Sequence, residues 1–274
     1  MNFLTLFFLI QLGTISIQVN DQSSRRVKRI VNGCEAYPHS NPYQVGLEFL
    51  KPGVLNCPEY YFNINCGGVL ISPSYVLTAA HCTERALLVD VYLGLHNFNM
   101  DCSYTLMRSK SIYNHKNFNP KTLKNDIALI QLPNPVQLSN EIMVISLPSL
   151  FWEPFFSVNK FATISGWGAT SDRLYEDYPK QLRCAITKII GNVECSRYYD
   201  DFLIQDTNIC TDSRGGFGSI CYGDSGGPLV VDGVLVGIAS FVHKYGCEYK
   251  APSVYTRVSH YVSWIKETIR ICVK

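Results

Sequence analysis

Short apolar runs alternate with turn residues along almost the whole chain. Gly68–Ile71, Val89–Leu93, Ile127–Leu132, Ala162–Ser165, Leu229–Val231 and Val234–Ser240 are rich in β-branched and aliphatic residues. Each is bounded by Gly, Pro, Asn or Asp and predicts a strand. Asp232-Gly233, between two of these runs, is a two-residue hairpin signal. A helical period stands out only at the carboxy-terminal end, in His260–Ile271. There Val262, Ile265, Ile269 and Ile271, with Trp264, cover one face. The pattern predicts an all-β protein with a carboxy-terminal helix and no internal repeats.

The amino-terminal end follows a different pattern. Leu4–Ile17 is an uncharged, mostly apolar run, shorter than the roughly 20 residues needed to span a bilayer. With Thr14 and Ser16 at the small-residue positions, it predicts a secretory signal over residues 1–16. A polar, basic segment DQSSRRVKR (Asp21–Arg29) closes an expected propeptide over 17–29, and IVNG then begins abruptly at Ile30. No later segment is apolar for long enough to suggest a membrane anchor.

Composition sharpens this picture in two ways. The 274 residues are 47% hydrophobic and 17% charged, which suits a globular protein with a sizeable core and excludes a disordered chain. A formal net charge of +2 argues against nucleic-acid binding. Arg25, Arg26, Lys28 and Arg29 supply four of the positive charges before residue 30, so the remainder is close to neutral. Eleven cysteines without any CxxC point to disulfides and an oxidising, extracellular compartment. There is no N-x-[ST] sequon, so N-glycosylation is not expected.

Candidate chemistry lies in TAAHC (Thr78–Cys82), NDIALIQL (Asn125–Leu132) and CYGDSGGP (Cys221–Pro228). A serine becomes a useful nucleophile near neutral pH when a base takes its proton, and a carboxylate keeps that base in the right tautomer. Ser225, His81 and Asp126 form such a set. Gly223 and Gly226 flank the serine with small residues, so that backbone amides can approach a substrate carbonyl. His81 beside Cys82 has no partners at zinc-finger spacing, and Asp126 alone could simply cap a turn. Gly223–Gly227 also satisfies G-x-S-x-G, but a Pro and a hairpin follow where an α/β-hydrolase needs a helix.

IVNG, TAAHC, DIAL, GWG (Gly166–Gly168), GDSGGP and VYTRV (Val254–Val258) occur in the order found in trypsin/chymotrypsin-like serine endopeptidases. The chain resembles that family from Ile30 to about Ile271. The resemblance implies two packed six-stranded antiparallel β-barrels over residues 30–274, divided near 150, with the site between them. It implies His81 as general base, Asp126 as its orienting carboxylate and Ser225 as nucleophile. The Gly223 and Ser225 amides would form an oxyanion hole, and Ser240 would hydrogen-bond near Asp126. The enzyme would act as a monomer on protein or peptide substrates, without cofactor or metal; Leu95 stands where many trypsins place a calcium-loop glutamate. The rival class is a protease-like binding protein, which usually lacks a triad residue, whereas all three are present here. The SFVHKYGCE segment (Ser240–Glu248) looks similar to arthropod chymotrypsin-like and collagenolytic enzymes, which suggests a digestive or venom role.

Activation in this family implies a cut between Arg29 and Ile30, the new amino group pairing with Asp224. Arg26-Val27-Lys28-Arg29 also resembles a proprotein convertase sequence, so a convertase or a trypsin-like enzyme would be the activator. Family bridges would be Cys66–Cys82, Cys195–Cys210, Cys221–Cys247 and Cys34–Cys184. Cys57 and Cys102 would lie near each other, and Cys272 is left over. At the pocket, Ser219 would replace the basal aspartate that recognises Arg or Lys. With Ile220, Val242 and Ser253 larger than the residues that admit big aromatic side chains, cleavage is expected after Leu, Met, Ala or Val, with Phe and Tyr as the alternative. A loop carrying Phe151, Trp152, Phe155 and Phe156 is a candidate partner surface.

Overall fold

The structure, a computed structural model, describes residues 30–51, 66–98, 104–149, 157–173, 178–200 and 203–272. The signal and propeptide segments, Arg29, Cys57, Cys102 and the four aromatic residues of the 151–156 loop lie outside the described residues.

Two antiparallel sheets build the molecule. The first comprises β2 (Gln44–Leu50), β3 (Cys66–Ser72), β4 (Tyr75–Thr78), β5 (Leu88–Leu93), β6 (Thr105–Ser109), β7 (Ile112–Asn114) and β8 (Ala128–Gln131), in the order β6-β5-β2-β3-β4-β8-β7. The second comprises β9 (Phe161–Gly166), β10 (Arg183–Ile190), β11 (Asn208–Asp212), β12 (Pro228–Val231), β13 (Val234–Phe241) and β14 (Ser253–Arg257). It closes into a six-stranded barrel because β9 pairs with both β10 and β12, and the short β1 (Cys34–Glu35) adds to β10. The expected two-barrel fold is thus one closed barrel and one curled seven-stranded sheet, whose edges β6 and β7 do not pair among the described residues.

The six strands singled out above are all present. Asp232 and Gly233 join β12 to β13 with φ of 50° and 76°, the double positive φ that a two-residue primed turn requires. The helix α3 spans Val258–Cys272. It buries Val258, Tyr261 and Ile265 in the core of the first sheet, and Val262 is buried as well, while Ile271 is 67% exposed because the helix has passed beyond the core. Each fully buried side chain of this kind contributes roughly 1.5–3 kcal/mol. The same core takes Val230, Leu235 and Ile238 from the second barrel, so one continuous apolar cluster joins the halves.

Three expected disulfides are formed: Cys66–Cys82, Cys195–Cys210 and Cys221–Cys247. The fourth is corrected: Cys34 and Cys184 are thiols, although they are direct cross-strand partners. Their side chains face each other closely enough to hydrogen-bond, but no S–S bond joins them. Burial, followed by the nearby Cys34, pushes the Cys184 thiol up to about 11. At pH 8 iodoacetamide is therefore expected to alkylate the exposed Cys34 and spare Cys184. Peptide mass mapping checks this, and equal modification contradicts it.

Candidate active site

His81 sits on α1 (Ala80–Thr83), a single turn that sequence periodicity is too short to reveal. The turn is held from several sides. Cys82 is bonded to Cys66 of β3, and the Thr83 hydroxyl lies within hydrogen-bond distance of Ala80 O (3.0 Å) and Asn114 Oδ1 (2.6 Å). Asp126, immediately before β8, is fully buried. Its carboxylate accepts the His81 backbone N–H (2.9 Å), lies 2.7 Å from the His81 ring Nδ1 and accepts the Ser240 hydroxyl (2.5 Å). Its own carbonyl accepts from Thr256 Oγ1 (2.7 Å), and Tyr261 of α3 donates to neighbouring Asn125 (2.9 Å). The predicted helix thus supports the loop that carries the carboxylate.

Ser225 lies on the loop before β12, half exposed. Its carbonyl accepts the Gly67 N–H of β3 at 2.7 Å, a hydrogen bond that crosses between the two sheets. Gly226, at φ +79°, fits against the end of β4: a Cβ there would stand 2.2 Å from Thr78 Oγ1 and 2.3 Å from Gly67 O. This close approach brings the serine loop up to the strand that leads into His81. Among the described contacts His81 Nε2 and Ser225 Oγ are not hydrogen-bonded, and such pairs often close only around substrate. Gly223 adopts φ +95°, and among the described residues neither its amide nor that of Ser225 donates a hydrogen bond. Two amides are therefore free to bind an oxygen.

Asp224 points the other way, into the barrel. It accepts from Cys221 N (2.9 Å) and Gly168 N (2.9 Å), and a Cβ at Gly166 or Gly168 would fall 2.1 or 2.4 Å from its carboxyl group. This close approach is the physical reason for the two glycines of GWG. Burial pushes the Asp224 carboxyl up to about 7, against the pull of those two amides. Ile30 is also buried, in the cluster with Ile164 and Ile220, and Val31 pairs with Ser219.

A pocket of about 270 Å³ is lined by Ile220, Tyr222, Ser225, Ser240, Phe241 and Val242, among others. Ser219 and Ser253, expected on its surface, do not line it. Their hydroxyls are buried and paired with each other at 2.9 Å, and Ile220 stands at the wall in place of Ser219. The two clusters of potential metal ligands among the described residues each contain a disulfide, Cys66–Cys82 or Cys221–Cys247. Their sulfurs are bonded to each other and offer no thiolate. Leu95 is buried against Tyr92, Trp167 and Leu182.

One closed barrel against a curled sheet, with His81 bound to the buried Asp126 and the Ser225 loop bonded across to β3, matches the two-barrel fold of chymotrypsin-like serine endopeptidases. The family model for trypsin matches residues 30–265, and the chain belongs to that family. It is 41% identical to brachyurin of Leptuca pugilator over 238 residues, covering 86% of this chain and 97% of the relative. It is 40% identical to a chymotrypsin of Phaedon cochleariae, with 86% and 81% covered. The solved structure of HL collagenase superposes with a TM-score of 0.75 at 36% identity, covering 87% of this chain and 98% of that one. The protein is a trypsin-family serine endopeptidase that acts on protein or peptide substrates.

Proposed function

We propose that hydrolysis proceeds through an acyl-enzyme on Ser225. His81 serves as general base and then general acid, Asp126 holds its tautomer, and the Gly223 and Ser225 amides bind the oxyanion. The carrying observation is the Asp126 carboxylate. It is bound twice by His81 and once by Ser240, and Ser240 shares a pocket with Ser225. An imidazole held at Nδ1 has Nε2 left to take the serine proton.

The preferred side chain before the cut is of medium size and apolar, such as Leu, Met, Ala or Val. Ile220 and Val242 narrow the pocket, and its lining contains no carboxylate to receive Arg or Lys. Val242→Gly is expected to shift preference toward Phe and Tyr by roughly 10–200-fold, the range for a methylene or two in an apolar pocket. A peptide-library profile of parent and variant tests this. A parental preference for Arg or Lys, or an unmoved profile in the variant, contradicts it.

The enzyme is proposed to be secreted after removal of residues 1–16. The three disulfides suit an oxidising compartment, and no helix among the described residues is long and apolar enough to cross a membrane. Cleavage after Arg29, by a convertase or a trypsin-like enzyme, would free the Ile30 amino group to pair with Asp224.

A further inference from the structure

We propose that Asp172 is a positioning residue that sets the wall of the substrate pocket, and with it the enzyme's selectivity among apolar side chains. The proposal rests on the reading of Ser225 and its pocket given above. Asp172 lies on the loop after β9, outside every motif of the sequence. Its carboxylate accepts the Cys247 N–H through Oδ1 (2.7 Å) and the Glu248 N–H through Oδ2 (3.1 Å), while its own N–H donates to Glu248 Oε2 (2.9 Å). The clasp is reciprocal, and it requires Gly246. At φ +104° this residue leaves room for the carboxylate, whereas a Cβ there would sit 2.3 Å from Asp172. A carboxylate receiving two successive backbone amides makes stronger, charge-assisted hydrogen bonds.

What the clasp holds gives it a role beyond local order. Cys247 is bonded to Cys221, and Cys221 lines the pocket and donates its N–H to Asp224. Asp224 in turn binds Gly168 N, and Ala169 N donates to Tyr222 O (2.7 Å). The loop from Gly168 to Asp172 is thus tied at one end to the serine loop and at the other to the Gly246–Glu248 segment. Ala169, Cys221 and Cys247 form a small buried cluster, and Val242, which narrows the pocket, packs on it. Loosening Cys247 frees the surface against which Val242 rests. Substrate binding and side-chain preference should change before the chemistry at Ser225 does.

The test compares activated parent, Asp172→Ala, Asp172→Asn and Glu248→Ala on short peptides that differ only in carrying Ala, Leu or Phe before the cut. Asp172→Ala is expected to raise KM about tenfold with kcat within about twofold, the mark of lost uniform binding, and to compress the Leu-to-Phe ratio toward one. Asp172→Asn, whose amide oxygen still accepts from Cys247, should recover much of both. Glu248→Ala, at an exposed position, should move both about twofold in the same direction. Fluorophosphonate labelling of Ser225 should match the parent in all variants; absence of label in the parent would strike the triad reading instead. Parental KM and preference in Asp172→Ala, a kcat loss at constant KM, or Asn as impaired as Ala each overturns the proposal. If Asp172→Ala does not fold, unchanged ratios in both Asp172→Asn and Glu248→Ala do so.

Discussion

Ser225→Ala is expected to lower kcat by on the order of 10⁶-fold while leaving substrate binding nearly intact, as removal of the nucleophile does in triads of this kind. The residual activity expected is what the proposed oxyanion amides of Gly223 and Ser225 and the pocket would supply. Asp126→Asn is the subtler test, with an expected loss of roughly 10⁴-fold. The Asp126 carboxylate meets His81 at two points and Ser240 at a third, all as donors. An amide in its place presents an NH₂ to one of them, and the imidazole can satisfy it only by carrying its proton on the wrong nitrogen. Single-turnover kinetics on a peptide ester separate the two cases. Ser225→Ala should show no acyl-enzyme burst, and Asp126→Asn a slow one. Activity within tenfold of the parent in either variant contradicts the assignment.

The second large effect concerns Asp224. An Arg29→Gln chain that keeps its propeptide is expected to be at least 10²–10³-fold less active, the value of one oxyanion donor, because the serine loop lacks its counter-charge. The same chain should show a pH-dependent stability. Burial raises the Asp224 carboxyl to about 7 in the folded state, against about 3.9 for an unperturbed aspartate. The folded state therefore binds the proton more tightly. This group's contribution is fully present below about pH 4 and is lost as pH rises through about 7, by roughly 4 kcal/mol. Urea unfolding at pH 4 and pH 8 measures it, with Asp224→Asn in the same background as control. On the proposed activation, the Ile30 amino group freed by cleavage would supply the missing charge and the dependence should shrink. A flat profile in the uncut chain, or equal activity of cut and uncut forms, contradicts this account.

The sequence is most legible where chemistry or turn geometry forces a residue type. His81, Asp126 and Ser225 come from three distant segments, yet each carries neighbours that betray it: Cys82 tied to Cys66, the β8 strand after Asp126, glycines around Ser225. Asp232-Gly233 and the face of α3 up to Ile269 are legible for the same reason, since backbone φ and core burial leave few alternatives. Less legible are features that depend on distant packing. The turn α1 has too few residues to show a period. Ser219 and Ser253 are withdrawn from the pocket because their hydroxyls satisfy each other, a pairing no spacing encodes. Cys34 and Cys184 are in register across two strands, but register does not dictate whether the sulfurs join. Asp172 carries no local motif at all. Its partners lie some 75 residues away in the chain, and only the folded barrel brings them to it.

The central claim is that Ser225, and no other hydroxyl, is the activated nucleophile of the processed enzyme. A fluorophosphonate probe added to protein cut after Arg29, followed by peptide mapping, tests it most directly. The account predicts one stoichiometric label on the peptide containing Gly223–Gly227, abolished by Ser225→Ala and strongly slowed by His81→Ala. No label on correctly processed protein, or a label elsewhere in the chain, would contradict it.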